Sequence, residues 1–168
     1  NPNDDESIKD LGDTYQAIGD SNTAKSYYQK AIKLNNSCAP ALSNLGNIEL
    51  KSNNKKEALS LLKKATEADP KLAAAWRNLA NGYFQLGKQQ EAEFACKKSI
   101  ELNPNLFNSH FLLGIILLSQ KKFQEAKQHL RKSIELKPDF SQAYLNLGAV
   151  LNDEGQLKEA EISTRKAI

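Results

Sequence analysis

The stretch from Ala73 to Leu106, AAAWRNLANGYFQLGKQQEAEFACKKSIELNPNL, sets a pattern that the rest of the chain repeats with a period of 34 residues. Trp76, Leu79 and Tyr83 recur at three- and four-residue spacing, which predicts one stripe of a helix. Gly87 marks a turn, Ala92, Cys96 and Ser99 form the stripe of a second helix, and Pro104 closes the unit. Shifting by the period turns Leu79 into Leu11, Leu45, Leu113 and Leu147, and Ala80 into Gly12, Gly46, Gly114 and Gly148. Ala92 becomes Ala24, Ala58, Ala126 and Ala160, and Pro104 becomes Pro70 and Pro138, with Asn36 as the exception.

A W-x2-L-G-x2-Y…A-x3-F…P pattern of this period resembles the tetratricopeptide repeat, a helix-turn-helix unit. The resemblance implies an all-α fold, a right-handed α-solenoid of stacked units. Read this way, residues 1–168 form a single array with repeats at 5–38, 39–72, 73–106, 107–140 and an incomplete 141–168, after residues 1–4 that end a preceding repeat. Pro2 occupies the closing-proline slot, Ile168 shares the register of Ile134, Ile100 and Ile32, and there is no methionine, so the expectation is a stretch cut from a longer array.

Glycine in a helix costs about 1 kcal/mol against alanine, so its return at one register requires a close approach of the two helices. The expected partner is the alanine of the second helix, with Leu11, Leu45, Leu79, Leu113 and Leu147 filling the space toward neighbouring repeats. Three residues depart from the pattern: Glu49 replaces the tyrosine, His110 the tryptophan and Thr164 the phenylalanine. An unpaired carboxylate is costly to bury, which predicts Glu49 with its stem packed and its head at an edge.

Composition narrows the function classes. The 23 basic and 20 acidic residues leave a net charge of only +3, without the one-signed field of a nucleic-acid or membrane-surface binder. The longest apolar run, Phe111 to Leu118, is too short to span a bilayer, and no basic-then-apolar leader opens the chain. Cys38 and Cys96 lie 58 residues apart at different registers, which suggests two buried thiols in a reducing, cytoplasmic compartment. Asn35-Asn36-Ser37 fits a glycosylation acceptor by a pattern too short to outweigh this.

No constellation for chemistry emerges. His110 and His129 fall on different helices and, by the wheel, on different faces, without a carboxylate or cysteine in metal-ligand spacing. His110 reads as a polar aromatic in a tryptophan slot. The glycines are isolated and periodic rather than gathered in a phosphate loop. The doublets Lys63-Lys64, Lys97-Lys98, Arg131-Lys132 and Arg165-Lys166 read as a solvated face, with Glu67, Glu101 and Glu135 as helix-face partners four residues after the first member of each. The expectation is a non-enzyme without cofactor or metal.

What remains is the side of each first helix opposite the core stripe. It carries Asn44 and Asn47, then Arg77, Asn78, Asn81 and Phe84, then Asn108, Phe111, Leu112, Ile115 and Leu118, then Gln142, Leu145, Asn146 and Ala149. In tetratricopeptide arrays this side lines the concave surface and binds peptides or protein segments, so the resemblance implies such a site here. The asparagines before the recurring leucine, Asn44, Asn78 and Asn146, are similar to the amide ladder in the repeats of protein O-GlcNAc transferase, interrupted by Asp10 and Leu112. The two-carboxylate clamp of chaperone-binding repeats does not fit, because Leu112 stands where an amide is needed and Gln142 and Asn146 where cations are needed. The reading is a protein-binding scaffold whose partner is an extended segment with an apolar anchor at Phe111, Leu112, Ile115 and Leu118. A recruiting or assembly portion of a larger enzyme such as a glycosyltransferase, and a self-association module, remain open.

Overall fold

In the computed structural model, which describes residues 4–167, the repeat becomes ten α-helices, with no strand among the described residues. The slot read at Pro2 and the register of Ile168 lie outside the described residues. First helices α1 (Asp5–Ala17), α3 (Ala39–Lys51), α5 (Ala73–Gln85), α7 (Phe107–Ser119) and α9 (Ser141–Asp153) alternate with second helices. These are α2 (Ser21–Leu34), α4 (Lys55–Ala68), α6 (Gln89–Leu102), α8 (Phe123–Leu136) and α10 (Leu157–Arg165).

Two compact units divide the chain, Asn1–Lys88 with α1 to α5 and Gln89–Ile168 with α6 to α10. In the first, α1 pairs with α2 and α3 with α4, while α2 meets α3 and α5 lies on α3 and α4. Its core joins Ala24, Tyr28, Ala31, Leu45 and Ile48, and beside them Leu42, Ala65 and Ala75. In the second, α7 pairs with α8 and α9 with α10, around Leu130, Leu147, Leu151 and Ala160. Leu45, Leu79, Leu113 and Leu147 are buried as their register predicts, but Leu11 remains 44% exposed. The partner at that register is the preceding second helix, and no helix precedes α1 among the described residues.

The hairpins close where the sequence places glycine. A Cβ on Gly46 would lie 2.7 Å from Leu62 Cγ and 3.3 Å from the Ala58 carbonyl oxygen, and one on Gly114 would lie 2.9 Å from Leu130 Cγ. The main partner is therefore the large side chain one turn beyond the expected alanine. The alanine itself matters through its carbonyl and its lack of bulk.

Each turn from first to second helix holds one left-handed residue. Gly19, Gly87 and Gly155 supply it in three repeats, with φ between 73° and 87°, while Asn53 (φ 63°) and Lys121 (φ 61°) supply it in the others. Three of the four turns between repeats use a side chain instead: Asn35, Asp69 and Asn103 accept from the backbone N–H two residues on, at 2.9 to 3.0 Å, while Lys137 stands at that register in the fourth. Pro70, Pro104 and Pro138 stand just outside the helices and prevent α4, α6 and α8 from continuing.

Glu49 corrects the expectation of an edge carboxylate. It is fully buried in α3, where Lys25 Nζ reaches it at 2.5 Å from α2 and Asn54 Nδ2 donates to it at 2.6 Å. Burial pushes its carboxyl up, but the hydrogen bonds from Lys25 and Asn54 outweigh that and hold it below the ordinary carboxylate range. The second unit uses the same device. Lys97 and Lys122 hold Glu93 down at about 2, against the opposing effect of burial, and buried Lys127 of α8 pairs with Glu154 at the end of α9. The expected carboxylates Glu101 and Glu135 pair with the second member of their doublets, Lys98 and Lys132, while the first members Lys97, Arg131 and Arg165 pair with Glu93, Glu159 and Glu161.

Gly46→Ala is expected to lower stability by about 1–3 kcal/mol despite the better helix propensity of alanine, since Leu62 must leave its rotamer. Lys121→Gly is expected to raise stability by about 0.5–1 kcal/mol, as it removes the left-handed penalty of a residue with a Cβ and adds back part of it as unfolded-state entropy. Urea unfolding of both variants measures each sign.

Candidate protein-binding face

In the first unit the outward side of α1, α3 and α5 is polar and internally bonded. Tyr28, buried in α2 at the register of Leu62, sends its hydroxyl to Asp13 Oδ1 at 2.6 Å, with Gln16 Oε1 at 2.8 Å. Burial, and then the Asp13 carboxylate, push its phenol well above the usual tyrosine range. Asn44 Nδ2 donates to the same Asp13 oxygen at 2.8 Å, so this amide joins α3 to α1. Its Oδ1 accepts no hydrogen bond among the described residues, and half-buried Asn47 makes no side-chain bond among them. Asn81 Oδ1 accepts from Gln85 Nε2 at 3.4 Å, while Arg77 and Phe84 are half-buried on the same helix.

Asn78 is not on this surface. It is buried, and its Nδ2 donates to Ser43 Oγ at 2.9 Å across from α5 to α3. The wheel assigns it outward because it treats α5 alone, whereas α3 covers that flank. The expectation of a peptide-facing asparagine here, in a ladder already interrupted at Asp10 and Leu112, is corrected.

In the second unit the outward side of α7 and α9 carries aliphatic side chains beside amides. Leu112 and Ile115 are half-buried, and Leu145 is 49% exposed. Phe111 and Leu118, assigned by the sequence to the same anchor, instead pack on the core of Leu130, Leu147, Leu151 and Ala160. Phe111 also meets the Phe140 ring edge-on at 4.8 Å, and Phe140 meets Phe107 likewise at 5.1 Å. The correction has one cause: residues on this flank of a first helix are covered by the next hairpin, which a single-helix projection omits. Asn108 is half-buried with an unpaired Oδ1, Gln142 is exposed, and Asn146 Nδ2 donates to the Gln142 carbonyl at 2.8 Å, within its own helix.

Sequence reasoning missed the roles of Asp13, Ser43 and the Tyr28 hydroxyl. Asp13 shares the register of Asn47 and Asn81, a signal present in the repeat alignment, and Tyr28 is the one tyrosine among Leu62, Cys96, Leu130 and Thr164. Nothing marked Ser43. Among the described residues no group of three or more histidines, cysteines and acidic residues could hold a metal, and no helix is long and apolar enough to cross a membrane.

The family model described as the cilia and flagella-associated protein 70 C-terminal domain, a tetratricopeptide-repeat domain, matches residues 5–168. No curated protein matches the chain. Among solved structures, MamA is 27% identical over 94% of this chain and 92% of its own, with a TM-score of 0.76. YrrB, described as a tetratricopeptide-repeat protein with an unusual peptide-binding site, is 23% identical over 100% of this chain and 87% of its own, with a TM-score of 0.70. PilF of Pseudomonas aeruginosa is 22% identical over 97% of this chain and 74% of its own, with a TM-score of 0.87. The all-helical fold is that of tetratricopeptide solenoids.

Phe111→Ala should cost about 2–3 kcal/mol of stability, near the lower end for core aromatics because the ring is half-buried. A loss below 0.5 kcal/mol in urea unfolding, roughly the scale of a surface substitution, returns Phe111 to the outward face.

Proposed function

The chain belongs to the family of the cilia and flagella-associated protein 70 C-terminal domain, and from that premise we propose that it is a non-catalytic scaffold that binds a protein segment on its first-helix faces. The observation that carries this reading is the apolar surface of Leu112, Ile115 and Leu145 on α7 and α9, left partly open although the core stripe of both helices is already buried. Helices that have satisfied their own core rarely carry such residues outward without a partner. The peptide-binding site in YrrB's description supports the reading by analogy of fold.

The two units offer different chemistry. In the first, Asn47 keeps a whole amide available to a peptide unit, which takes one donor and one acceptor from the same side chain, and Asn44 offers the acceptor alone. Asn44 presents its carbonyl while its amine stays on Asp13. In the second, Leu112, Ile115 and Leu145 suit an aliphatic or aromatic side chain, and burial of about 100 Å² there contributes on the order of 2.5 kcal/mol. The reading assigns backbone recognition to the first unit's amides and apolar side-chain recognition to the second unit's face, each taken by itself.

Selection of displayed random peptides on the purified chain tests this. Selected binders should be rich in apolar residues and should lose at least about tenfold in affinity to Leu112→Asn, given the area term above, with the melting temperature unchanged. Binders indifferent to Leu112→Asn, or no binders from an otherwise successful selection, reject the assigned face.

A further inference from the structure

The chain has two histidines, and the fold brings them together. His110 Nδ1 on α7 and His129 Nδ1 on α8 are 3.0 Å apart, which corrects the expectation that they occupy different faces. Their ring centres are separated by 5.3 Å and their planes inclined by 27°. That separation is little more than the N···N distance plus a ring radius at each end, so the two nitrogens point at one another edge to edge.

The protons can be placed by chemistry. His110 Nε2 lies 3.0 Å from the Pro104 carbonyl oxygen, which only accepts, so Nε2 carries the hydrogen and Nδ1 of the neutral ring is a lone pair. Trp76, at the same register, makes the equivalent bond from its indole N–H to the Pro70 carbonyl at 2.9 Å. His129 must therefore donate from Nδ1, and its Nε2 lone pair is the open one. His110 is 7% exposed and His129 is half-buried. A first added proton binds His129 Nε2 and leaves the Nδ1–H···Nδ1 bond intact. A second has only His110 Nδ1 to bind, and there it meets another N–H and another positive ring.

We propose that His110 and His129 form a proton-operated latch between α7 and α8, closed with up to one added proton and opened by the second, which loosens the fourth hairpin. The surrounding charges do not remove the conflict. Lys132 and Glu135 act on His110, and Lys97 and Glu125 on His129, one cation and one anion each. Burial holds both imidazoles below their ordinary value, and His110 further lowers His129.

The sign follows from linkage. Both rings titrate near 6.5 in the unfolded chain, whereas the folded pair resists the second proton. The stability is fully present above the unfolded value and is lost as pH falls below it toward the depressed folded value. One suppressed protonation lowers the folding equilibrium constant by about tenfold between pH 7.5 and 5.5. The paired carboxylates Glu49 and Glu93, held below 4.5, titrate outside this window.

Urea unfolding at the two pH values, with imidazole nitrogen NMR on the same protein, tests the latch. The wild-type chain should show the roughly tenfold fall, two separated titration steps, and Nδ1–H on His129 with Nε2–H on His110 at high pH. His110→Trp, the side chain of the third repeat at this register, should keep the bond to Pro104, reduce the fall and leave His129 with a single titration step that burial still lowers. Two independent steps near 6.5 in the wild type, or an equal fall in His110→Trp, overturns the proposal. Should His110→Trp not fold, the wild-type NMR titration decides by itself.

Discussion

The structure depends on how closely the two helices of a hairpin can approach. At Gly12, Gly46, Gly114 and Gly148 the missing Cβ admits Tyr28, Leu62, Leu130 and Thr164 to distances that a methyl group would block, 2.6 to 2.9 Å from where it would stand. A side chain seated over the first-helix backbone fixes the height of one helix against the other. The next hairpin then meets a surface whose shape is already set, and this is how Leu45 and Leu147 find buried places. The propensity cost of mid-helix glycine, about 1 kcal/mol each, is small beside the contacts that the approach permits.

On this frame some charged side chains are where neighbouring repeats recognise each other, while the departures His110 and Thr164 act inside their own hairpins. Glu49 is tolerable inside α3 only because Lys25 and Asn54 supply its hydrogen bonds, and Lys127 is tolerable in α8 because of Glu154. A buried charge left without its partner is far more costly than the pair is favourable, so these contacts specify register more than they add stability. Tyr28 does the same with a neutral group: its ring fills the glycine gap and its hydroxyl reaches Asp13, which also holds Asn44. The polar first-helix face of the first unit is therefore anchored from beneath by a core residue. On the second unit's face no such network is needed, and aliphatic side chains are left partly open.

Helix positions, turns and the need for close approach at the glycines were legible because they are local or periodic, whereas the side chain that fills each gap was not. Spacing of three and four residues sets the helical stripe, and a shift by the period identifies equivalent environments without knowledge of their shape. The left-handed turn residue could be read at Gly19, Gly87 and Gly155, and only alignment with them exposes the same role in Asn53 and Lys121. The binding face was legible as a side of the first helices but not residue by residue. Asn78, Phe111 and Leu118 all lie on that side of a wheel, yet α3 covers the first and the following hairpin covers the other two.

By itself, then, the sequence determined the repeat, its helices, its turns and the family's kind of fold, since each of these is a property of one chain segment and its period. Only the tertiary structure decided which outward residues remain outward, how Glu49 survives burial, and that two histidines 19 residues apart share a proton bond. These depend on distances between helices that no helical projection contains. A wheel gives a direction around one axis, while burial, ion pairing and proton placement are set by what stands opposite.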